Sequence, residues 1–156
     1  KPVIPGRGDL VSAFVGPVVL RVGMDGVVSR VPFVTDQRGA GQLFREQIGC
    51  SWFDVIRLDG GLDMWVDDEA IVGVDLGDRK ALADALNIVA TMVANRLGRP
   101  GPVFGAAVIT RLSAESAAGL DPEQITRVER LAEMSAVVFS DALAERARAE
   151  REGARR

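Results

Sequence analysis

The chain has 156 residues, 47% hydrophobic and 26% charged, with a formal net charge of −3, a balance that fits one globular domain able to bury a core. It has no histidine and a single cysteine, Cys50, which excludes imidazole zinc sites, Ser-His-Asp and Cys-His catalysis, and an intrachain disulfide. No apolar run reaches membrane-spanning length, and the start at Lys1 lacks signal-peptide order, so a soluble cytoplasmic protein with no cofactor and no metal is expected.

In chain order, Lys1 to Asp9 reads as an extended arm because Pro2, Pro5, Gly6 and Gly8 interrupt any periodicity. Its Arg7-Gly8-Asp9 tripeptide is treated as part of a flexible terminus. Val18 to Val22 and Val27 to Val34 are β-branched runs separated by Gly23-Met24-Asp25-Gly26, which predicts a hairpin. Pro32 cannot donate to a ladder and assigns the second strand to a sheet edge. A helix over Ala40 to Ile48 follows, with Gly49 as its stop.

Trp52 to Leu58 and Leu62 to Val66 flank Asp59-Gly60-Gly61, the strongest hairpin signal in the chain. Along the second strand Leu62, Met64 and Val66 alternate with Asp63, Trp65 and Asp67. One face is therefore expected to seek a core, while the other presents carboxylates around an indole at least half exposed. An indole in that setting usually packs under a neighbour; the alternative is a partner-binding anchor. Asp78 is an N-cap for one helix running to Leu97, with Leu82, Leu86, Val89, Val93 and Leu97 as its apolar stripe. Val103 to Thr110 reads as a buried middle strand. Asp121-Pro122-Glu123-Gln124 then combines N-cap, first-turn proline and capping-box glutamine, opening a long amphipathic helix whose tail beyond Leu143 is charged all round and expected to project or fray.

The predicted fold class is α+β: two β-hairpins plus one further strand in a small mixed sheet, packed by a central helix, with an added long C-terminal helix. Residues 1–112 are assigned to the α+β unit with its arm, and 113–156 to a linker and the C-terminal helix. Asp54, Asp59, Asp63, Asp67, Asp68, Glu69, Asp75, Asp78 and Asp84 make the middle of the chain acidic, which disfavours direct nucleic-acid binding.

The run Leu62-Asp63-Met64-Trp65-Val66-Asp67-Asp68-Glu69, with Val55-Ile56 before it and Asn87, Ala90-Thr91 and Gly105 after it, resembles the domain-of-unknown-function 3846 family of actinobacteria, their phages and mobile elements. The resemblance covers about Val18 to Thr110. It implies no chemistry, only positions: Asp67, Asp68 and Glu69 at the strand end, and Asn87 with Thr91 one helical turn apart. The bland role for Asn87 is to staple the acidic corner to the helix. The helix from Asp78 is longer than the family's usual stretch, and the helix from Asp121 lies outside the resemblance, which suggests an added oligomer contact.

With no evident catalytic set, the leading expectation is a non-catalytic protein-interaction module that meets a protein partner or associates with itself as a homodimer. Trp65, Asp63, Asp67, Asp68, Glu69, Asn87 and Thr91 are its candidate binding positions, and Ile125, Val128, Leu131, Val138 and Leu143 its candidate oligomer contact. Two alternatives stand beside it. Asp67, Asp68 and Glu69 would serve a Mg²⁺- or Ca²⁺-dependent enzyme or small-ligand binder, although neighbouring strand carboxylates point to opposite faces and need a turn to converge. The acidic block would serve a mimic that occupies a DNA-binding protein. Cys50 as a nucleophile would need activation by an arginine or helix terminus.

Overall fold

Both predicted hairpins form, and a strand from later in the chain joins them into one sheet. The computed structural model describes residues 16–35, 39–114 and 117–155; the N-terminal arm and its Arg7-Gly8-Asp9 lie outside them. In chain order the elements are β1 (Val18–Val22), β2 (Val28–Pro32), α1 (Gly41–Ile48), β3 (Phe53–Leu58), β4 (Leu62–Asp67), α2 (Arg79–Ala85), α3 (Ile88–Arg96), β5 (Ala107–Leu112), β6 (Ala117–Ala118), α4 (Pro122–Val138) and α5 (Ser140–Ala154). The sheet order is β2-β1-β5-β4-β3, with β6 also pairing β5. Every pairing among the described residues is antiparallel. The α+β class holds, and the sheet is antiparallel rather than mixed because β5 enters between β1 and β4 running against both.

Alternation along the strands divides the molecule into layers. Leu20, Val22, Leu58, Leu62, Met64, Ala107 and Ile109 face one side and pack with Val89, Ala90, Val93 and Leu97 around α3 and with Val128 and Ala132 of α4. Leu120 and Leu143 join the same cluster, so the C-terminal segment shares the core of the sheet. The opposite side carries Val19 and Val108, covered by Phe44 and Ile48 of α1. Gly49 ends α1 at φ 76°, the left-handed conformation for which glycine has no steric penalty.

Two helices expected to be continuous are broken. The stripe from Leu82 to Leu97 spans α2 and α3, which separate at Leu86, where the backbone turns extended. Asn87 is the cause: its Oδ1 caps Ala90 N–H (3.0 Å), and its Nδ2 donates to Val22 O (3.1 Å) and Gly105 O (2.9 Å). These bonds tie the start of α3 to the end of β1 and the approach to β5. The Asp121 capping box forms as the sequence indicates, but the helix it opens ends at Val138 and resumes at Ser140. Nor does the tail simply project. Leu143 is buried against Gly26 in the β1–β2 turn, where an added Cβ would come within 2.9 Å of Leu143 Cδ1. The Arg146 guanidinium donates to the carbonyls of Ala83, Leu86 and Met24.

The packing reassigns the proposed oligomer stripe. Val128 and Leu143 are buried, and Ile125 and Leu131 pack partly buried against the same core. Only Val138 is exposed, at 73%, alongside Met134 and Val137.

Candidate functional site

The sequence-predicted binding residues divide into three structural groups. Asn87 is fully buried with its side-chain amide satisfied, which removes it from any ligand-binding role and makes it a staple. It secures β1 and the Gly105 turn; that turn does approach the acidic corner, since an added Gly105 Cβ would lie 3.8 Å from Asp67 Cβ. Thr91 accepts from Val103 N–H through its Oγ1 (2.9 Å), fixing the loop after α3. Thr91 also borders an open groove of about 780 Å³ between α2, α3 and α5.

Trp65 and Asp63 face the α1 side of the sheet, Asp63 buried and Trp65 partly buried. The Trp65 ring stacks on Phe44 (centroids 4.4 Å, planes 18° apart) and meets Phe53 edge-on at 5.7 Å. Its Nε1 donates to Thr110 Oγ1 (2.9 Å), so both the apolar body and the polar tip of the indole are occupied. The half-exposed indole expected at Trp65 is therefore absent: the ring packs under a neighbour, the usual outcome for such a residue, and the alternative of a free anchor is not met, because α1 supplies a second layer over that face. Asp63 is only 2% exposed. Its Oδ1 lies 3.5 Å from Arg57 Nη1 but makes no hydrogen bond among the described residues. Burial pushes its carboxyl above the usual carboxylate range, with Arg57 pulling the other way. A carboxylate so enclosed cannot meet a partner's surface, and the presented acidic face lacks it.

The third group remains at the surface. Asp68 and Glu69 are exposed, and Asp67 is partly so. Asp67 Oδ1 accepts from Glu69 N–H (2.8 Å), and Ala70 N–H donates to Asp67 O, an Asx-type turn that stabilises the corner. Among the described residues no three acidic or cysteine side chains converge as a metal cage. Cys50 is partly buried; burial first, then the neighbouring Asp67, push its thiol up, while Arg45 opposes them, the reverse of what activates a nucleophile.

Trp52 is the functional candidate that sequence reasoning missed. It is 65% exposed and sits immediately before β3, where its carbonyl accepts from Asp68 N–H (3.0 Å). That bond sets Trp52, with its exposed indole, across from Asp68 at the corner that also carries Asp67 and Glu69. Its position ahead of the alternating run is the signal available in the sequence: it lies outside the pattern that assigns Trp65 to a face. The loop after β4 adds exposed Val72 and Leu76 beside Asp75 and Asp78. Arg45 lies over the Phe53 ring (5.5 Å) and donates to Ser51 O, holding the approach to Trp52.

These features define a helix-layered antiparallel α+β protein with an acidic, tryptophan-bearing corner at one sheet edge. The chain matches no protein-family model, no curated protein and no solved structure. Among the described residues no helix is long and apolar enough to cross a membrane.

Proposed function

We propose that the protein is a non-catalytic interaction module whose contact surface is the corner formed by Trp52, Asp67, Asp68 and Glu69. The observation that carries this reading is the 65% exposure of Trp52 next to those carboxylates. An indole offers a large, stiff contact area and is enriched at energetic centres of interfaces, and the carboxylates favour a basic partner through charge complementarity. A cytoplasmic setting accords with the lone Cys50. The likeness to the domain-of-unknown-function 3846 family carries none of this proposal, which rests on the geometry of the corner.

The test is comparative capture. Wild-type protein immobilised against host lysate is expected to retain a partner that is lost with Trp52→Ala and with Asp68→Lys, while circular dichroism shows both variants folded. Equal retention by all three proteins would refute the assignment of the corner.

A further inference from the structure

We infer that the free edge of β3 takes up an extended, basic segment of a partner protein as an additional strand, a mode of contact that rests on the corner reading above and makes it specific. Among the described residues β3 is the outermost strand on its side of the sheet. The Asp68 N–H to Trp52 carbonyl bond fixes which residues of β3 bond to β4: in an antiparallel pair hydrogen-bonded positions alternate, so Trp52, Asp54, Ile56 and Leu58 face β4 in the continuous register that pairs Phe53 with Asp67 through Leu58 with Leu62. The backbone groups of Phe53, Val55 and Arg57 therefore face outward. Val55 N–H confirms this independently, since it is taken by its neighbour's carboxylate, Asp54 Oδ1, at 2.8 Å. The Phe53 and Arg57 N–H groups and the carbonyls of all three residues have no protein partner among the described residues. Such a row is a template for another strand.

The opposite edge of the sheet carries a break that β3 lacks. The Phe33 N–H to Pro17 carbonyl bond puts Val28, Arg30 and Pro32 on the outer side of β2 by the same alternation. Pro32 has no N–H and its carbonyl accepts from Val34 N–H, while the Arg30 side chain is drawn to Glu129 of α4 at 2.7 Å. β3 contains no proline.

Side chains along β3 select the incoming sequence. Phe53 and Val55 are partly buried on the α1 face, whereas Asp54 is exposed on the other and Asp68 and Glu69 stand at the strand's start. Positions across from Phe53 and Val55 suit apolar side chains, and the position across from Asp54 suits lysine or arginine. A second copy fits less well. In a two-fold β3–β3 pair centred on Val55, the two Asp54 carboxylates become diagonal neighbours on one face.

The probe is a short, blocked peptide alternating valine with lysine, titrated into isotope-labelled full-length protein while amide exchange is followed residue by residue. Saturable binding is expected, with exchange slowed at Phe53 and Arg57 and unchanged in the β4–β5 ladder. Val55→Pro is expected to weaken binding at least about tenfold. It should lower thermal stability only modestly, because Val55 N–H takes no part in the β3–β4 ladder and the bond it gives up is to the exposed Asp54 carboxylate. The same peptide with its backbone N-methylated keeps its charge and should not protect these amides. Binding that survives N-methylation or Val55→Pro overturns strand addition, as does slowed exchange confined to Asp67, Asp68 and Glu69, which leaves the corner reading standing. Protection of Phe53 and Arg57 that appears with protein concentration alone assigns the edge to a second copy and also overturns it. If peptide binding protects Phe53 and Arg57 but lysate capture is insensitive to Trp52→Ala, the corner reading fails and strand addition stands.

Discussion

The two tryptophans of the chain, at the same hairpin, have opposite surroundings. Trp65 lies inside β4 with an aromatic ring against its face and a hydroxyl on its N–H, whereas Trp52 precedes β3 and is largely exposed. Residue type is identical, so the contrast isolates context: an indole becomes structural when a second layer covers it and its N–H finds an acceptor. Without such cover it remains available to another molecule.

Trp65→Ala should break the contrast most severely, lowering unfolding free energy by roughly 3 kcal/mol in urea denaturation because it vacates the space between α1 and the sheet. Thr110→Val keeps the shape but leaves the Trp65 N–H unpaired, and is expected to lower stability by about 1 kcal/mol with a change in Trp65 fluorescence. Asp63→Asn tests the same face from the other direction. A carboxyl whose folded-state pKa lies above its unfolded value is held more tightly as the acid in the folded protein, so its ionisation penalty is absent below the ordinary carboxylate range and grows as pH rises through the raised value. The variant should therefore be more stable than wild type near neutral pH, and the difference should vanish in acid when melting temperature is measured across pH. Trp52→Ala is expected to change stability by no more than about 0.5 kcal/mol. In a Trp65→Phe background, acrylamide should quench the remaining Trp52 emission strongly, as an exposed indole requires. Asp54→Ala should have the smallest effect, visible only as faster exchange at Val55 N–H.

Local signals marked much of the fold. Glycines at the two turns, the alternation of Leu62, Met64 and Val66, and the Asp121 to Gln124 box act over a few residues and formed as their chemistry dictates. What escaped depends on distant partners. The apolar period from Leu82 to Leu97 runs unbroken through α2 and α3, and nothing local reveals that Asn87 bonds to a carbonyl on β1 and so divides them. Alternation shows which side of β4 Trp65 occupies, but not that α1 folds over that side. Val128 and Leu143 read equally well as a dimer seam or as the far wall of the core, because periodicity defines a face without naming its neighbour. The charged tail after Leu143 offered no apolar stripe, and its attachment through Arg146 to carbonyls around α2 is visible only in three dimensions.

The place of β5 in the sheet has a consequence for how the chain acquires its shape. The strand that lies between the two hairpins is made after both, pairing Leu20 with Ile109 and Met64 with Ile109. A lone two-stranded ribbon is marginal in water, so each hairpin must wait, during synthesis, for a bridge that closes both at once. Such distant closure predicts slow, all-or-none assembly, and a chain released before Leu112 should behave as two unstable ribbons rather than as half a protein.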